Sequence, residues 1–167
     1  MNDVNRRYPG TRSFADSEID RKLFHGRSEA AATLLHMILA DPLVVVYGRS
    51  GVGKTSLMNA GILQDLREQN YFPVIARCND AKAGPFSTLY DAIRKTADVG
   101  GVEYLPGPTM SLWEHFAAAQ FWLDDVLLTP VIVFDQFEEI FTEQTAENRR
   151  VFIDQFAELV RGRAPAA

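Results

Sequence analysis

Gly48-Arg49-Ser50-Gly51-Val52-Gly53-Lys54-Thr55 satisfies the spacing G-x-x-x-x-G-K-[ST] at every fixed position. Each fixed residue type has a task there. The glycines let the backbone wrap so that successive N–H groups can face phosphate oxygens, and Lys54 carries a mobile positive charge to the outer phosphates. The Thr55 hydroxyl offers Mg²⁺ a hard oxygen ligand, and a helix starting here turns its positive end toward the anion. Gly51 and Gly53 shape the cradle, whereas Arg49, Ser50 and Val52 line the loop without any need for side-chain contact. Ser56 extends the same segment into the helix. A phosphate-free tight turn is the bland alternative. Against it stand the flanks, an apolar run Leu43–Tyr47 before the loop and a helix with Leu57, Ile62 and Leu66 after it.

Such a loop needs an acid at the C-terminal end of another strand in the same sheet. Asp135, directly after Val131-Ile132-Val133-Phe134, fits, and would hold Mg²⁺ directly or through water. The competing reading is a surface Asp that simply ends a strand. A base to orient water is harder to assign. Gln136 cannot accept a proton at neutral pH, which leaves Glu138 and Glu139, either as base or as solvated strand-end charges. Slow hydrolysis at most is the expectation, and that suits a switch that stores a bound state.

The elements that must position these residues follow from periodicity. Residues 1–27 read as an N-terminal segment, with a turn at Tyr8-Pro9-Gly10. Ser28 is placed to cap a helix to about Ala40, where Leu34, Leu35, Ile38 and Leu39 recur at helical spacing. Leu43–Tyr47 predicts a strand buried on both faces, 54–68 a helix, and Tyr71–Cys78 a second strand. Gly84-Pro85 opens a helix from Phe86 to Ala97 that Gly100-Gly101 closes, and 102–109 reads as loop. Residues 111–128 read as one helix, whose Trp113, Phe116, Phe121 and Trp122 suit core packing better than a stacking platform. Pro130 opens a third buried strand to Phe134, and a helix over 146–160 buries Phe152, Phe156, Leu159 and Val160. The core is thus placed at 28–160, with 161–167 as a tail. Alternating strands and helices predict an α/β fold with a mostly parallel sheet.

Composition narrows the function classes. The 167 residues are 47% hydrophobic and 23% charged, enough for a real core. With 17 basic and 22 acidic residues the net charge is −5, which argues against nucleic-acid and anionic-membrane partners. One cysteine, Cys78, excludes an internal disulfide framework, and three scattered histidines show no metal-ligand spacing. The N-terminus has no signal-peptide pattern, and the longest apolar stretch, Val126–Phe134, is interrupted by Thr129-Pro130. A cytoplasmic protein is the expectation. A small-molecule kinase is disfavoured because no arginine-rich lid follows.

Together the motifs resemble those of the STAND class of P-loop NTPases, in particular the bacterial novel STAND branch. The resemblance rests on Tyr8-Pro9-Gly10-Thr11-Arg12-Ser13-Phe14, Phe24-His25-Gly26-Arg27, Val46–Leu57 with Asn59-Ala60-Gly61-Ile62-Leu63, and Val131–Phe141 with its Asp-Gln-Phe-Glu-Glu run. It spans most of the chain from Tyr8 to about Phe156. It implies a three-layer α/β/α P-loop fold and a signalling switch that binds ATP or ADP with Mg²⁺ and forms homo-oligomers, joined to sensor or effector domains outside this chain. In such proteins the segment like Phe24, Gly26 and Arg27 lies near the adenine and ribose. The bland reading of those residues is a hydrophobic staple and a surface charge. Where relatives often carry Arg-Pro after the second strand, this chain has Arg77-Cys78. The resemblance also implies that the sheet is incomplete on its C-terminal side, since a further strand and a helical lid would follow Asp135. The alternative is a non-catalytic interaction or oligomerisation module, or an inactive NTPase fragment.

Overall fold

The computed structural model describes residues 12–78, 80 and 82–162. The turn expected at Tyr8-Pro9-Gly10 and the tail beyond Gly162 lie outside the described residues. The chain divides between Gln69 and Asn70 into two compact units.

The first unit is helical. Helix α1, Glu18–Leu23, is capped by Ser17, whose Oγ accepts from Asp20 N–H. Asp20 is buried, and its carboxylate accepts from Arg12 at 2.8 and 3.0 Å and from Ala15 N–H at 2.7 Å. Those donors hold its pKa below the usual carboxylate range, the Arg12 bond most strongly. Helix α2, Ser28–Ala40, takes Arg27 rather than Ser28 as its cap residue. After the glycine-rich loop comes one helical run in three parts: α3 (Lys54–Ser56), a π-helical stretch Leu57–Ile62, and α4 (Leu63–Glu68). Ala31 and Leu34 of α2 bury with Leu57, Ala60, Ile62, Leu63 and Leu66 of that run. Gly61 is closely packed: a Cβ there would stand 3.2 Å from the Phe24 ring and 3.3 Å from Leu57, so both side chains would have to give way by a few tenths of an ångström.

Residues 43–47 correct the expectation of a buried strand. They join no ladder among the described residues, and Val45 and Tyr47 are 71% and 90% exposed. A β-branched run becomes a buried strand only when neighbouring strands satisfy its backbone, and none of the described strands does so.

The second unit carries two sheets. Strands β1 (Tyr71–Ala76) and β5 (Thr129–Phe134) run parallel, in register from Tyr71 opposite Thr129 to Ala76 opposite Phe134. Strand β1 buries Phe72, Val74 and Ala76, whereas β5 is half-buried rather than fully enclosed. Helix α5, Gly84–Gly100, starts with its proline in the first turn and ends on Gly101 at φ +65°, and buries Leu89, Ile93 and Ala97. The single helix expected over 111–128 is also corrected. Helix α6 stops at Ala118 (Leu112–Ala118), and β3 (Gln120–Leu123) and β4 (Val126–Leu127) follow. They pair antiparallel with β2 (Glu103–Leu105), which occupies the expected loop. The reason is pairing: Phe121 is buried opposite Tyr104 of β2, and Asp124 at φ +45° makes the tight turn back to Val126. Helices α7 (Ile140–Glu143) and α8 (Ala146–Arg161) complete the unit, and Phe152 of α8 meets Phe86, Phe134 and Phe156 in one aromatic cluster. The architecture is mixed α/β, with a two-stranded parallel sheet and flanking helices.

Candidate functional site

In the first unit the loop 48–55 turns at Gly51 and Gly53, with φ of +81° and +85° that only glycine adopts without strain. Lys54 Nζ donates to the carbonyl of Gly48 at 2.9 Å and of Arg49 at 3.3 Å, so the ammonium folds back on the first residues of the loop. Leu57 N–H bonds Gly53 O at 2.9 Å, which starts the helical run directly at the loop. Arg27 Nη1 donates to Val52 O at 2.7 Å. Ser56 is buried, and its Oγ accepts from Phe14 N–H at 3.1 Å, while Asn59 Nδ2 donates to Phe14 O at 3.1 Å. Residues 14–16 thus strap the outer side of the loop's helix, and Asp16 adds an ion pair with Arg67. Phe24 packs edge-on against Phe14 at 5.5 Å and covers Gly61. Gly26 and Arg27 border an open groove of about 570 Å³ lined also by Thr33, Leu34, Met37, Val44 and Tyr47.

In the second unit a polar cluster forms at the C-terminal ends of the parallel strands. Asp135 N–H continues the ladder to Ala76 O at 3.0 Å, and Arg77 Nη2 donates to Asp135 Oδ2 at 2.7 Å. Gln136 follows in the left-handed region (φ +57°) and launches the 3₁₀ turn Phe137–Glu139. That turn separates the two glutamates: Glu138 is exposed, whereas Glu139 Oε2 is buried with no hydrogen-bond partner among the described residues. Gln144 is buried and donates from Nε2 to Cys78 O and Asp80 O, both at 2.9 Å. Asp80 accepts from the N–H groups of Ala83 and Lys82, which lower its pKa. Burial, and secondarily the charge of Glu139, pushes the Cys78 thiol up to about 11, so it is a poor nucleophile at neutral pH.

The novel STAND NTPase 1 family model matches residues 8–166. The chain belongs to that family. Comparison with curated proteins and with solved structures gives no significant match.

Within this STAND domain the sequence-predicted residues fall into two groups. Gly48–Ser56, Phe24, Gly26 and Arg27 lie in the first unit, where Arg27 reaches the loop at Val52, and Asp135, Glu138 and Glu139 lie in the second. Three positions had no site role in the sequence reading. Arg77 is the ion-pair partner of Asp135, and a parallel register placing both just past paired strand ends was the available signal. Gln144 anchors the turn after β1, and Phe14 offers both backbone groups to the loop's helix. Neither had a local signal, because both depend on contacts over 40 positions or more away in the chain.

Proposed function

We propose that this STAND domain is the nucleotide-binding module of a signalling ATPase switch, taking Mg·ATP or Mg·ADP and hydrolysing slowly at most. The observation that carries the reading is the loop 48–55, with two glycines at positive φ and an ammonium at its mouth, opening directly into a helical run. The donor set suits the ligand. Gly51 has open space where a Cβ would stand, Lys54 neutralises phosphate charge, and the loop's N–H groups are donors for phosphate oxygens. Thr55 and Asp135 supply the hydroxyl and carboxylate oxygens that Mg²⁺ prefers, and the ion, when bound, would offset the charge of the phosphates. Phe24, Gly26 and Arg27 form the nucleotide-side element, and Glu138 or Glu139 would orient water. Signalling output, homo-oligomerisation and effector domains follow from the family and belong to the same proposal.

Calorimetric titration of the chain with Mg·ATP and Mg·ADP, beside Lys54→Ala, tests it. The expected result is saturable binding that the variant loses. A folded wild-type chain that binds neither nucleotide would overturn the reading. A non-catalytic oligomerisation module is the second reading, favoured by the exposed apolar run Leu43, Val45, Val46 and Tyr47. Self-association that is indifferent to nucleotide would support it.

A further inference from the structure

We infer that Arg27 serves the loop as a backbone pin: its guanidinium fixes the Val52–Gly53 peptide so that Gly53 N–H is presented to phosphate. This rests on the nucleotide-binding reading above and gives Arg27 a role distinct from touching base or sugar.

Arg27 Nη1 donates to Val52 O at 2.7 Å, bridging 25 positions of chain. The same nitrogen stands 3.0 Å from where a Gly53 Cβ would be, so the guanidinium occupies the space that glycine leaves open. The peptide is planar and trans, so Val52 C=O and Gly53 N–H point in opposite directions. Holding the carbonyl toward Arg27 therefore turns the N–H away from it. That N–H has no acceptor among the described residues, which leaves it available to an anion. Arg27 itself is rooted at the cap position of the 13-residue helix α2, where its side chain makes no capping bond. Its reach is spent on the loop. Lys54 holds the carbonyls of Gly48 and Arg49 in the same way. Three loop carbonyls are thus tied to cations, and each would repel a phosphate if it swung inward.

Arg27→Ala and Arg27→Lys test the inference in the full chain with two readouts. The first is the Gly53 amide resonance of the ligand-free protein. The pin predicts that Arg27→Ala shifts it and Arg27→Lys largely restores it, with the thermal unfolding midpoint little changed. An unmoved Gly53 amide in Arg27→Ala overturns the pin whether or not nucleotide binds. The second readout is affinity for ATP, ADP and inorganic pyrophosphate. Loss of one charge-assisted bond that orders the loop should weaken all three by a common factor of about ten. Weakening of ATP and ADP with pyrophosphate unaffected would instead put Arg27 on the nucleoside and also overturn the pin. Failure of the wild type to bind any of the three refutes the nucleotide reading itself, and leaves the amide resonance to decide on the pin.

Discussion

Truncating Phe152 to alanine should destabilise the second unit by about 4 kcal/mol. Its ring is fully buried between Phe86 at 5.2 Å and Phe134 at 5.8 Å, and stacks on Phe156 at 6.3 Å. Removing roughly 150 Å² of buried aromatic surface at about 25 cal/mol per Å² gives that figure, within the usual range of about 3–5 kcal/mol for Phe→Ala. Phe141→Ala is the control of equal chemistry. That ring is 55% exposed and meets only the Arg149 guanidinium, at 5.8 Å, among the ring contacts described, so its loss should cost about 0.5–1 kcal/mol. Urea titration followed by tryptophan fluorescence is the assay, because Trp113 and Trp122 both lie beyond Asn70 and report this unit alone. With a slope near 2 kcal/mol per M, the Phe152→Ala midpoint should fall by about 2 M and the Phe141→Ala midpoint by less than about 0.5 M. Equal shifts in the two variants would refute the placement of α8 beneath β5. Phe134 directly precedes Asp135, so the same variant should also loosen the Arg77–Asp135 ion pair.

Gly107→Ala should cost about 1–3 kcal/mol in the same titration, because a Cβ there would stand 2.2 Å from the carbonyl oxygen of His115, a backbone atom that cannot step aside. A loss below about 1 kcal/mol would refute the close approach of these two segments. His115 gives a pH prediction. It is buried, its Nε2 lies 2.7 Å from Tyr104 Oη, and its Nδ1 lies 3.2 Å from Gly107 O and Pro108 O. Burial lowers its pKa, with the carbonyl bonds opposing. The unfolded chain therefore binds the proton first as pH falls, and the stability that neutral His115 confers is complete above about 6.5 and is lost as pH drops below it. Urea midpoints at pH 7.5 and 5.5 should fall with acid in the wild type and fall less in His115→Gln.

Elements with a strong local pattern were legible from the residues. Gly84-Pro85 and Gly100-Gly101 bracket α5, the helix read over 146–160 is α8, and the apolar runs at 71–76 and 131–134 become the two parallel strands. Two misreadings share one physical cause. At 111–128 the helix read through Trp113 and Phe116 was carried past Ala118 into 120–123, a segment that becomes a strand by pairing with β2. At 43–47 the residues have strand chemistry, but strand formation is decided by partners in space rather than by the run itself. The candidate site divides likewise. The loop is a contiguous motif and could be read directly, whereas the hold of Arg27 on Val52 and of Phe14 on Ser56 spans 25 and 42 positions and has no signature in spacing.

The parallel pairing of β1 with β5 sets a kinetic condition on the molecule. The ion pair that ends this ladder joins residues 58 positions apart, a closure that costs roughly 3–4 kcal/mol of chain entropy before any strand bond forms. During synthesis at about 5–20 residues per second, β1 would wait roughly 3–12 s for its partner to emerge. Helix α5, next in the chain, packs on β1 and can shelter its apolar face in that interval. The strand's edge would remain open. Pro73 lies in the middle of β1 and Pro130 near the start of β5, and each withholds one amide hydrogen from any strand that tries to pair there. The two prolines thus make the waiting strands poor templates for the wrong neighbour, while the native register accommodates both.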